Sequence, residues 1–196
     1  YKGIFRIGVA VGKKPEGPFT PMDKPIDGSF SIDPAVYKDD DGEYYMYFGG
    51  IWGGQLQRWR NGVFNPKNPT SPTAFLPNDD EPALLPFVAK MSDDLLEFAE
   101  KPREVQILDE KGKLLLAGDN ERRFFEAAWV HKYNGSYYFS YSTGDTHFIC
   151  YAIGETAYGP FTYKGRILNP VVGWTSHHSI CEFKGKWYLF YHDSSL

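Results

Sequence analysis

The sequence predicts an all-β fold built of four-stranded, propeller-type blades, and three observations predict it. Aromatics make up 17% of the 196 residues, with 14 Tyr, 15 Phe and 5 Trp. Turn formers are frequent, at 20 Gly and 14 Pro. Two kinds of internal repeat run along the chain. Aromatic runs punctuated by Gly and Pro read as short strands joined by tight turns. Recurrence at long intervals is the mark of stacked, similar units.

The first repeat is gapless. Ile7–Thr20 (IGVAVGKKPEGPFT) aligns on Ile149–Thr162 (ICYAIGETAYGPFT), with seven of the 14 positions identical. The second is a hairpin pattern: Val36–Gly49 (VYKDDDGEYYMYFG), Val130–Thr143 (VHKYNGSYYFSYST) and Cys181–His192 (CEFKGKWYLFYH). Each is a strand, a turn on Gly42, Gly135 or Gly185, and an aromatic strand. Joined in order, Ala127–Tyr133, Ser136–Ser142, Phe148–Ile153 and Phe161–Tyr163 make a four-stranded meander, the size of one blade.

The remaining elements follow from this template. Phe5–Val11 and Phe19–Thr20 are the outer strands of an earlier blade. Ala35–Lys38 and Glu43–Gly49 open the next, and Phe87–Met91 and Glu104–Ile107 finish it. Ser179–Phe183 and Trp187–His192 open a last one. The expectation is two blades nearly whole and two halves, about three blades' worth of strands. Residues 1–196 then form a single propeller domain truncated at both ends. Asn61–Pro86 and Leu108–Phe125 read as long loops, either shaping a site or inserted at the surface. Ser92–Glu100 offers a single helical turn.

Several function classes are disfavoured. The formal charge is -4, with no basic excess for nucleic acid or an anionic membrane. No run of 18 apolar residues suggests a spanning helix. Cys150 and Cys181 lack metal-type spacing and read as two buried free thiols. Asp39-Asp40-Asp41-Gly42 fails the EF-hand pattern and reads as a solvated hairpin turn. The chain starts at Tyr1 with no visible leader, so the compartment is open.

In a propeller the innermost strand of each blade lines the axis, so the residues opening those strands face a common mouth. Here the strands open at Ser31-Ile32-Asp33-Pro34, Phe124-Phe125-Glu126-Ala127 and Ser176-His177-His178-Ser179. Asp33 and Glu126 each lie 12 residues before a hairpin tyrosine, Tyr45 and Tyr138. Two carboxylates and an imidazole should therefore converge. Glu126 is flanked by Phe124, Phe125, Ala127, Ala128 and Trp129, surroundings that disfavour its charged form and suit a general acid. The alternative is a structural pair with Arg122 or Arg123. Asp33, before Pro34, is either a turn former or the neighbour that keeps Glu126 protonated. Consecutive His177 and His178 point to opposite faces of a strand, so one can face the axis. A single imidazole could complete a calcium site together with waters.

At these residues the chain resembles glycoside hydrolase family 43. The carriers are IGVAVGKKPEGPF (Ile7–Phe19), SIDPAVYKDDDGEYYMYFGG (Ser31–Gly50), FFEAAWVHKYNGSYYFSYSTG (Phe124–Gly144) and SHHSICEFKGKWYLFYHD (Ser176–Asp193). IWGGQLQRW (Ile51–Trp59) resembles the β-xylosidase branch. The resemblance implies a five-bladed propeller and inverting hydrolysis of β-xylosidic or α-L-arabinofuranosidic bonds in xylan-type polymers or their oligosaccharides. It implies Glu126 as general acid and Asp33 as the residue that tunes and orients it. It places the general base in a first blade preceding Tyr1, which leaves the isolated chain inactive. It matches His177 to an axial histidine near a calcium ion, with His178 the fallback if the register slips by one. Trp52 is a candidate sugar platform, and Thr146 and His147 are candidates for the pocket edge. No organic cofactor is expected, and an extracellular or periplasmic setting is favoured over a cytoplasmic one. The competing readings are a noncatalytic carbohydrate-binding propeller and an inert fragment.

Overall fold

The computed structural model describes residues 3–68, 70–71, 73–174 and 176–195. The first strands, β1 (Ala10–Gly12) and β2 (Phe19–Pro21), form a two-stranded ribbon. Four strands make the next sheet: β3 (Ala35–Lys38), β4 (Tyr44–Phe48), β5 (Phe87–Lys90) and β6 (Arg103–Glu104), in that spatial order. β7 (Ile107–Leu108) leaves this blade and joins the following sheet. That sheet runs β7-β11-β10-β9-β8, with β8 (Glu126–Tyr133), β9 (Ser136–Ser142), β10 (Ile149–Gly154) and β11 (Phe161–Leu168). β12 (His178–Phe183) and β13 (Lys186–Tyr191) form a last antiparallel pair. The expected series of half, whole, whole and half is therefore present. No helix among the described residues is long and apolar enough to cross a membrane.

The shared GPF motif has a packing reason. In the second copy the Phe161 ring lies over Gly154, where an added Cβ would meet its Cδ1 at 2.9 Å. In the first, Phe19 lies over Gly12 at the same 2.9 Å. Glycine is thus the residue that lets the ring close the hairpin end. Both copies carry a cis peptide before the proline, Gly17-Pro18 and Gly159-Pro160. The two rings end differently: Phe161 is fully buried in its whole blade, whereas Phe19 is 55% exposed on its ribbon.

The core is a continuous aromatic layer between the two whole blades. Tyr47, Phe48, Phe124, Phe139, Tyr141 and Phe161 are all fully buried or nearly so. Tyr47 donates its hydroxyl to Ala157 O at 2.6 Å, satisfying a polar tip inside that layer. A polar clamp ties the outer ends of the same blades. Asp39, in the turn after β3, accepts from Tyr137 Oη at 2.5 Å and from Lys132 Nζ at 3.2 Å. Lys132 also reaches Asp40 at 2.8 Å.

Several expectations are corrected. The first ribbon begins at Ala10, because residues 5–9 make only isolated backbone bonds, such as Ile26 N to Ile7 O and Met22 N to Val9 O. Glu104–Ile107 is split, with Ile107 and Leu108 pairing parallel to Phe161 and Thr162. Ser92–Glu100 is a tight turn rather than a helix, since Ser92 Oγ bonds the Asp94 side chain and Glu97 O and so competes with helical bonding. The Asp39 side chain is buried rather than solvated, because the neighbouring blade supplies its donors. Cys150 is buried and free, whereas Cys181, also free, is exposed on the last hairpin.

The Asp39 clamp generates a prediction. Burial pushes this carboxyl up, but the bonds from Tyr137, the Asp40 N–H and Lys132 outweigh it and hold it below 3.8. Its contribution is therefore present above pH 3.8 and lost as the pH falls below that value. Asp39→Ala in the full-length protein should lower unfolding free energy at pH 7 by about 2–3 kcal/mol, read by urea denaturation. An unchanged midpoint would remove the clamp from the account of stability.

Candidate active site

Three strand openings supply the polar cluster. Asp33 lies two residues before β3, Glu126 is the first residue of β8, and His177 directly precedes β12. Their ligand atoms all lie within 4.8 Å of one another. His177 Nε2 is 3.2 Å from Glu126 Oε1 and 3.7 Å from Asp33 Oδ2. The carboxylates are sheltered, with side chains 20% exposed for Asp33 and 11% for Glu126, while His177 is 43% exposed.

The backbone at these openings is unusual. Asp33 has φ +58° and Ala127 has φ +60°, left-handed values that cost a non-glycine residue energy. Ala127 sits in the irregular stretch of β8 where the pairing register shifts between Glu126 and Trp129. That bulge aims the Ala127 N–H at the Asp33 carboxylate. Small residues make room for the arrangement. An added Cβ on Gly50 would meet Ile32 at 2.7 Å and the Glu126 Cβ at 3.4 Å. Ser31 braces the same turn, accepting from Gly50 N at 2.9 Å and donating to Gly54 O at 2.7 Å.

The electrostatics follow from burial and crowding. Burial raises Asp33 above 3.8, His177 opposes this, the Glu126 charge adds to it, and the Ala127 N–H opposes it. The hydrogen bond to Glu126 raises His177 above 6.5, burial pulls the other way, and the charges of Asp33 and Glu126 raise it further. His178 points to the opposite face, as alternation requires. Its Nε2 meets Ser140 Oγ at 2.6 Å, and burial pushes its pKa down to about 3, so it stays neutral. The Arg alternative for Glu126 is not realised: Arg122 pairs with Asp119 and Glu110, and Arg123 with Asn120 and Asp145.

A cation would find a reason to bind here, since Asp33 Oδ2 is buried without a hydrogen bond. Calcium, however, takes about 6–8 oxygens, so two carboxylates and an imidazole would need several waters beside them.

Two of the other expected residues, Trp52 and His147, meet at the Trp174 ring. Trp52 meets Phe125 edge-on at 5.3 Å and stacks on Trp174 at 6.0 Å. His147 touches the same Trp174 ring at 5.0 Å. Thr146 instead braces a loop, donating to Asn120 O at 2.7 Å and accepting from Thr143 Oγ1 at 2.6 Å. Two residues escaped the sequence reading. Trp174 lies in an irregular segment with no repeat partner. The sequence offers Arg123 only as a possible mate for Glu126, since its burial is not visible in residue type. It is 8% exposed and lines a cleft with Trp52 and Asp145.

No protein-family model matches the chain. Among curated proteins it is 66% identical to a xylosidase/arabinosidase of Bacteroides ovatus, over 97% of this chain and 57% of that protein. It is 62% identical to a β-xylosidase of Xylanibacter ruminicola, over 98% of this chain and 58% of that one. Among solved structures it superposes with a TM-score of 0.93 on a glycoside hydrolase family 43 β-xylosidase/α-arabinofuranosidase from a compost microbial metagenome. That structure is a complex with xylotriose in a calcium-free form, 67% identical, matched over 98% of this chain and 58% of its own. The chain thus spans a little over half the length of these relatives.

Burial and the Glu126 charge raise the Asp33 carboxyl above 3.8 against the opposing pull of His177 and the Ala127 N–H. Because its folded pKa is raised, its ionisation weakens the fold as pH climbs above 3.8. Asp33→Asn, which tolerates the same left-handed backbone, should raise the melting temperature of the full-length protein at pH 7 by a few degrees. The advantage should shrink toward pH 3.8. A lower melting temperature at pH 7 would show that His177 more than compensates the buried charge.

Proposed function

The chain belongs to glycoside hydrolase family 43, its fold is part of a five-bladed β-propeller, and from that premise we propose that the full-length protein hydrolyses β-xylosidic or α-L-arabinofuranosidic bonds. The observation that carries the proposal is the Asp33, Glu126 and His177 cluster at three successive strand openings.

Glu126 is the general acid. Its side chain is only 11% exposed, and its Oε1 lies 3.2 Å from His177 Nε2. It delivers a proton to the glycosidic oxygen as the bond to the anomeric carbon breaks. Asp33 is the tuning residue rather than a base. An inverting pair keeps its carboxyl groups about 6.5–9.5 Å apart to admit water, whereas the atoms of Asp33 and Glu126 lie within 4.8 Å. Among the described residues no third carboxylate joins the cluster. The water-activating base therefore lies outside it, and the 196-residue chain by itself should turn over nothing. A calcium ion held by His177 and several waters would supply positive charge opposite the Asp33 carboxylate. The substrates are neutral plant pentose chains or their oligosaccharides, and an extracellular or periplasmic setting accords with polymeric material of that kind.

The acid assignment is tested with leaving groups of different quality. Glu126→Gln in the full-length protein should lower kcat/KM on xylobiose by about 10²–10⁴. The loss on dinitrophenyl β-xyloside should be far smaller, because that leaving group departs without a proton. Equal losses on both would sink the assignment. Proton NMR of freshly released sugar should show the anomer opposite to the substrate's; retained configuration would exclude the inverting mechanism.

A further inference from the structure

Glu126 and the histidine it meets belong to different sheets. Glu126 opens β8, whose hairpin partner is β9, while His177 directly precedes β12 of the last pair. The 3.2 Å contact between His177 Nε2 and Glu126 Oε1 forms only if β12 is held at one height against the β8–β9 hairpin. Among the described residues, two side-chain hydrogen bonds run from that hairpin into β12. Trp129 Nε1 donates to Ile180 O at 3.0 Å. Ser140 Oγ meets His178 Nε2 at 2.6 Å.

Both anchors come from one place. Trp129 and Ser140 are direct partners across the β8–β9 pairing, and Glu126 pairs with Ser142 in the same ladder. One short stretch of hairpin thus carries the acid and, three residues along β8, the pair that grips the neighbouring strand. The two bonds fix different things. The bond to Ile180 O holds the main chain and sets how far β12 slides along β8. The bond to the His178 ring sets which face of β12 turns inward. Because side chains alternate along a strand, a His178 ring held against Ser140 sends the His177 ring the other way, toward Glu126 and Asp33.

The Ser140–His178 pair is closed off from water. Ser140 is fully buried, and His178 Nδ1 is buried without a hydrogen bond, so Ser140 is the ring's one polar tether among the described residues. Replacing both members of such a pair by apolar groups of the same shape can be nearly neutral for stability. What the polar pair adds is direction, since a satisfied buried hydrogen bond specifies one arrangement.

We propose that Trp129 and Ser140 are positioning residues for the acid: they seat β12 so that His177 orients the Glu126 carboxyl group for proton delivery. The proposal rests on the glycosidase reading above. Both residues act through His177 and need no contact with substrate.

The test is a ratio measured on the full-length protein, kcat/KM for xylobiose divided by kcat/KM for dinitrophenyl β-xyloside. Only the first substrate needs the acid's proton, and the ratio is independent of how much enzyme is folded. Trp129→Phe keeps an aromatic ring and removes the donor, and Ser140→Ala removes the hydroxyl. Each should lower the ratio by about fivefold or more, and His177→Ala should lower it at least as far. In a His177→Ala background the same two changes should leave the ratio where His177→Ala alone puts it, because effects that pass through one residue do not add. A ratio unchanged by either change, or a full further loss in the His177→Ala background, overturns the positioning role and leaves the glycosidase reading standing. Wild-type protein inert on both substrates overturns the glycosidase reading and the positioning role with it.

Discussion

One imidazole holds the axis together. His177 lies between two sheltered carboxylates, 3.2 Å from Glu126 and 3.7 Å from Asp33. Were both carboxylates ionised at 4.8 Å or less with no cation between them, their repulsion would cost about 3 kcal/mol at an effective dielectric of about 20. The protein meets this in two ways. A proton can stay on one carboxyl group, and the imidazole can carry charge. Each residue comes from a different sheet, so the arrangement exists only while the sheets keep their relative positions. The aromatic layer around Tyr47 and Phe139 and the Asp39 clamp supply that rigidity. The chemistry at the mouth thus depends on packing farther along the same inner strands and their neighbours.

Much of this was legible in the sequence because repeats expose equivalent positions. Gly42 and Gly135 mark matching turns, and counting back from them places Asp33 and Glu126 at matching openings. The His177/His178 pair resolved through strand alternation, with one ring at the cluster and the other against Ser140. Strand ends were less legible. Phe161–Tyr163 continues to Leu168, because Gly165 is absorbed within the strand at a register shift opposite Tyr151 instead of making a turn.

What stayed hidden was hidden for physical reasons. The left-handed backbone at Asp33 and Ala127 leaves no trace in residue type, since an alanine at φ +60° looks like any alanine. The burial of Asp39 depends on Tyr137 and Lys132, 98 and 93 residues away. A run of three aspartates reads as solvated until the neighbouring blade is in place. The cleft beside Trp52 likewise needs two loops, neither periodic, to meet through Pro82 and Leu116.

β7 has a consequence for the lineage of such proteins. Ile107 and Leu108 follow β6 directly in the chain yet are hydrogen-bonded, in parallel, to Phe161 and Thr162 of the next sheet. The unit that repeats in sequence is therefore not the unit that is sealed in space. Recombination that exchanged a whole blade would carry a stave cut to fit its neighbour's outer rim. Exchange is tolerable only between partners whose rims already agree. Duplicated blades bound in this way drift apart in sequence as a set, each constrained by the one beside it.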